Sequence, residues 1–172
     1  MGKRDQATFN FNGSFTECET TDQYPGTLGI IVEDGKSGCF YQRVRLSSTA
    51  GDSDTTVPAA TLLARWKDSD TFVVCSDYAI SEGGINAVAG IFVSAPTASQ
   101  YCWVKKRGLT TVACDGTAAV GATCFDDGTA NGTVSCVAAG SALTGISVGV
   151  VTSVSSPYTS TAPQVRLSLM RA

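Results

Sequence analysis

The sequence predicts an all-β fold: a small β-barrel or sandwich of short antiparallel strands, with an extended N-terminal arm and a hairpin ahead of it. Three observations carry this reading. Apolar and polar residues alternate in short runs, as Val165, Leu167 and Leu169 do against Gln164, Arg166 and Ser168. Turn dipeptides separate such runs: Asp115-Gly116, Asp127-Gly128 and Asn131-Gly132. Outside the stretch 59–66, whose Leu and Ala residues also suit a short helix, no amphipathic helical pattern of three turns is evident.

Residues 1–26 are polar but carry Phe9, Phe11 and Phe15, with Gly13, all at odd positions. In an extended chain these share one face. The segment is too short to bury that face against itself, and each buried Phe contributes about 1.5–3 kcal/mol. Phe9, Phe11 and Phe15 are therefore the expected docking residues of an arm, set against the domain, a neighbouring subunit or another protein. The same segment serves equally as the first edge strand of the domain.

Residues 27–56 read as a hairpin followed by a linker. Leu28, Ile30 and Val32 alternate, Glu33-Asp-Gly-Lys-Ser-Gly38 supplies turn chemistry, and Phe40, Val44 and Leu46 alternate with Tyr41, Arg43 and Arg45. The polar, small-residue run 47–57 has no periodicity and reads as the linker. Residues 57–172 are the expected barrel or sandwich domain. Its strands are expected at 60–67, 71–75, 85–93, 101–107, 109–114, 122–126, 133–138, 145–154 and 163–170. The runs 85–93 and 145–154 are apolar or small on both faces, so both sides are expected to be covered.

Composition narrows the function. The 172 residues are 43% hydrophobic, enough for a core, and 16% charged. So few charges leave a surface of Ser, Thr, Gly and Ala, which fits a protein covered by copies of itself or by a partner. A net charge of −3 argues against general nucleic-acid binding, which needs a basic surface. The chain has no histidine, which removes the commonest general base and metal ligand. Met1 is followed by polar residues, with no apolar stretch to act as a signal sequence or to span a membrane, so synthesis and use without export are expected. Seven cysteines stand at 18, 39, 75, 102, 114, 124 and 136 without a C-x-x-C pair. They read first as small buried strand residues. Disulfides formed after release from a reducing cytoplasm, or a metal held by thiolates from distant strands, are the alternatives. Neither a metal nor a cofactor is expected.

Several motifs are tempting and fail on context. Gly145-Ile-Ser147-Val-Gly149 matches the hydrolase elbow, but the chain has no histidine base and Val150 and Val151 continue a strand. Gly35-Lys36-Ser37 resembles the end of a phosphate loop, yet Ile30 stands where the first glycine belongs and a β-segment follows. Asp52/Asp54 and Asp68/Asp70 lack the rest of a calcium loop. Asn12 and Asn131 begin glycosylation sequons in form and read as turns. Tyr101, Trp103 and Trp66 could stack on a sugar, and read more simply as core or subunit contacts. Lys105-Lys106-Arg107 reads as a solvated strand end, with contact to an acidic neighbour as the alternative.

Two stretches together resemble the capsid decoration, or cement, proteins of phage heads. One is 26–44, a glycine-led strand with an Asp34-Gly35-Lys36 turn and then Tyr41-x-x-Val44. The other is Ala89-Gly90-Ile91 followed by Gln100-Tyr101-x-Trp103-Val104 and Gly108. Ala119-Val120-Gly121 and Gly128 fall where that family places a turn before its next strand. The resemblance spans roughly 25–170, though seven cysteines and the polar N-terminus depart from the family pattern. It implies a non-enzymatic virion structural protein, commonly a homotrimer, on the outer face of the capsid. There it would bind the major capsid protein and lock subunit contacts; it would be made in the host cytoplasm and would engage neither nucleic acid nor membrane. A tail or neck component, or a carbohydrate-binding β-module, are the alternatives.

Overall fold

The computed structural model describes residues 13–48, 59–76, 88–126, 132–138, 145–154 and 161–169. Among them the chain is all-β, without a helix. The strands are β1 (Ile31–Asp34), β2 (Cys39–Leu46), β3 (Leu63–Asp68), β4 (Val73–Cys75), β5 (Val88–Phe92), β6 (Tyr101–Thr111), β7 (Cys114–Asp115), β8 (Thr123–Phe125), β9 (Val134–Val137), β10 (Ser147–Ser153) and β11 (Gln164–Ser168). The stretch 59–66 thus resolves as the lead-in to β3 and most of that strand.

Five strands close a barrel. β2 runs parallel to β4, the steps β4–β3, β3–β5 and β5–β6 are antiparallel, and β6 returns antiparallel to β2. Closure leaves these strands without free edges. The second strand of the sequence's hairpin is therefore a barrel wall, sharing ladders with strands from beyond residue 57. β1 lies outside, on β2. It begins later than the alternation from Leu28 implies, because Gly29 turns at a φ of 81° with the Phe72 ring where a Cβ would sit.

Beyond the barrel the sheet continues from β6 through β11, β10, β8 and β9 to β7. β7 is the continuation of β6 after two residues. The ladder to the β11 side persists there, with Val112 N–H donating to Pro163 O at 3.1 Å and Cys114 N–H to Thr161 O at 2.8 Å. The row thus returns to the run it started from and wraps a second core. Val44, Leu46, Trp66, Val74, Phe92 and Val104 fill the barrel. Val112, Val134, Val148, Val151, Val165 and Leu167 fill the second lobe, with Leu63 and Ile91 reaching in from the barrel.

A single strand, β6, borders both lobes. The sequence divides it at Gly108, whereas the structure keeps it whole: Gly108 has a φ of 110° and still pairs with Leu167. A Cβ there would run into the Cys39 sulfur, so only glycine lets the strand change course without leaving its ladder. β5 is covered on both faces as expected, but β10 is not, since Val150 is 44% exposed.

Candidate functional site

Two outward faces of the sheet differ in what covers them. The first lies on β2 and β6 of the barrel. Residues from 13 onward cross it as a strap, tied to β6 by mutual backbone hydrogen bonds between Glu19 and Tyr101 at 2.9 and 2.8 Å. Phe15 stacks on Tyr41 with ring centres 4.0 Å apart and meets Trp103 edge-on at 5.2 Å. Of the expected docking residues, Phe15 therefore docks within its own chain. Phe9 and Phe11 lie outside the described residues. Burial pushes the Tyr41 phenol up to about 12.

Arg43 holds the strap. Its side chain is 1% exposed and ion-pairs with Glu19 and Asp22, each at 2.7 Å. It also donates to Tyr24 O at 2.8 Å and to Thr27 Oγ1 at 2.6 Å. The rings of Tyr24 and Tyr101 flank the guanidinium at 5.1 and 5.2 Å. Alternation alone reads Arg43 as a solvent-side residue. The acidic residues Glu19 and Asp22 in the strap were the available signal that a cation awaited them.

The second face belongs to the other lobe. Cross-strand pairing aligns Leu109, Arg166 and Val150 in one row over β6, β11 and β10. Arg107 and Ser168 form the next pair. These residues, with Ser37 and Gly38, line an open cleft of about 720 Å³. Leu109 and Val150 are 47% and 44% exposed. Among the described residues neither Arg107 nor Arg166 has a carboxylate within ion-pair distance, and Arg107 rests over the Phe40 ring at 5.6 Å.

The basic run thus divides between faces. Lys106 points into the barrel end, donates to Gln42 Oε1 at 3.0 Å and lies 5.9 Å from the Trp66 ring. Burial holds its pKa below the ordinary lysine value. Lys105 donates to Leu109 O at 3.0 Å. Of the three only Arg107 is exposed, and it lies within β6 and not at the strand end that was expected.

The other motifs are dispersed. Ser147 lies within strand β10. Asp34 closes the hairpin turn by accepting from Lys36 N–H at 3.1 Å and Ser37 Oγ at 2.5 Å, and these bonds hold its carboxyl below the usual range. Asp68 does the same for Thr71. Asp52, Asp54, Asn12 and Asn131 lie outside the described residues. Trp66 is in the barrel interior, Trp103 is buried under Phe15, and Tyr101 faces Arg43, so the three aromatics form no shared platform.

One grouping went unseen in the sequence. Cys114, Cys124 and Cys136 bring their sulfurs within 4.8 Å of one another at the far side of the second lobe. Hydrogen bonds from Cys124 and Cys136 lower the pKa of the Cys114 thiol, while giving that bond raises the pKa of Cys124. Separations of ten and twelve residues carry no motif; only the strand pairing unites them.

No family model, curated protein or solved structure matches this chain.

Proposed function

We propose that the chain is a structural protein of a phage virion that binds the outer face of the capsid as a decoration, or cement, protein. It acts by adhesion and not by catalysis. Its partners are the major capsid protein and copies of itself, as a homotrimer made in the host cytoplasm.

The observation that carries this reading is the face of the second lobe that no described segment covers. Leu109 and Val150 flank Arg166, and Arg107 stands beside them, with no carboxylate partner among the described residues. Two aliphatic side chains around guanidinium groups suit a partner surface with carboxylates set among apolar residues. Two further points support it. The segments that resemble decoration proteins fall on β1–β2 and β5–β6, of which β2, β5 and β6 are barrel strands, and a closed barrel presents a rigid body needing little ordering on contact. Three linked copies would turn weak individual contacts into firm attachment.

The test is binding to heads of the encoding phage assembled without this chain. Wild-type protein is expected to sediment with the heads in many copies, and Arg107→Glu/Arg166→Glu protein to remain in the supernatant while still folded. Attachment of a few copies at one vertex would favour a neck or tail component. Absence from assembled particles would sink the proposal.

A further inference from the structure

Cys124 on β8 and Cys136 on β9 are direct partners across an antiparallel pair, and their sulfurs stand 2.7 Å apart. Cys114, on β7 at the other side of β9, places its sulfur 3.0 Å from that of Cys136. Cys136 is therefore central, in contact with both others. Cys114 and Cys124 are buried and Cys136 is half-buried.

Two chemistries compete for such a trio. Thiolates sharing one metal ion sit roughly 3.8 Å apart, from bonds of about 2.3 Å at tetrahedral angles. Both observed contacts are closer than that. Three thiolates on a divalent ion would also leave a net negative charge beside Ala118, Ala122, Val134 and Val148, in an apolar core where charge is costly. A disulfide is neutral, and facing residues on adjacent antiparallel strands have the spacing it needs.

We propose that Cys124 and Cys136 form a cross-strand disulfide, and that Cys114 is a resident thiol able to exchange into it. In the oxidation the two thiols release two protons and two electrons. A small-molecule disulfide such as oxidised glutathione accepts them and leaves as two thiols. In the exchange the Cys114 thiolate attacks Cys136 Sγ, the Cys114–Cys136 bond forms, and Cys124 departs as a thiolate that takes up the proton Cys114 lost. Either bond staples the second lobe where its row of strands returns to β7: the first joins β8 to β9, the second β9 to β7.

The full chain settles this. After incubation with oxidised glutathione, free thiols are alkylated in denaturant and the protein is cut with trypsin and Asp-N endoproteinase. Cleavage after Arg107 and Arg166 and before Asp115, Asp126 and Asp127 places the three cysteines on separate peptides, 108–114, 115–125 and 127–166. Linked 115–125 and 127–166 with Cys114 alkylated is the expected product, and Cys114→Ala protein should retain it. Cys124→Ser protein should instead link 108–114 to 127–166. Oxidation should raise the wild-type melting temperature by about 5–10 °C, as closing a short loop does. Full alkylation of all three thiols, a link from any of them to another cysteine, or stoichiometric zinc retained by the reduced protein would overturn the proposal.

Discussion

The face under the strap and the face of the second lobe are built alike and finished differently. Both are outward sides of antiparallel strands, and both carry arginine among apolar side chains. On the first, Arg43 meets two carboxylates, a carbonyl, a hydroxyl and two aromatic rings. On the second, Arg166 lies between half-exposed Leu109 and Val150. Composition does not separate them; coverage does. Residues 13–27 supply the first face with its lid and counter-charges, while no described segment does so for the second. The covered face serves the stability of the chain, and the face that no described segment covers is the one the proposed function assigns to a partner.

Removing the cation breaks the contrast at its strongest point. Arg43→Ala leaves Glu19 and Asp22 facing a buried gap, and the expected loss is about 3–5 kcal/mol in equilibrium denaturation. A variant as stable as the wild type would mean the strap is not held by this pair of ion contacts. Alkaline titration sharpens the same contrast. Tyr41 keeps its proton in the folded chain up to about 12 against an ordinary value of 10.0, because burial under the strap disfavours the phenolate. Its contribution is complete below the unfolded value and is lost as pH rises through the folded one. The denaturation midpoint should fall between pH 10.0 and about 12, and Tyr41→Phe should flatten that fall. The smallest effect belongs to the open face. Leu109→Ser/Val150→Ser is expected to change stability by no more than about 0.5 kcal/mol. A larger loss would show that this face is already packed in the isolated protein.

The strands were legible because each carries its own evidence. β2 and β11 alternate with period two, and glycine punctuates the turns, as at Gly116 and Gly132. What stayed hidden depends on which strand lies beside which. Arg43 looks solvent-facing until the strap is laid over it. Lys106 shares its parity with Cys102 and Val104, which pointed inward, but a charge in that position reads as an exception until Gln42 is seen facing it. The three cysteines converge only through the parallel step from β9 to β7, which no local pattern announces. Gly108 was visible as a break, and its actual role, bending an unbroken strand, emerges only from the Leu167 pairing.

A common wall has consequences for how this molecule comes apart. Tyr101–Thr111 contributes a boundary to each of the two hydrophobic interiors. Arg65 reinforces the seam by reaching from β3 to the buried carboxylate of Asp126 beyond β8. Neither lobe can melt without stripping its neighbour of a side, so a single cooperative thermal transition is the expected outcome in calorimetry.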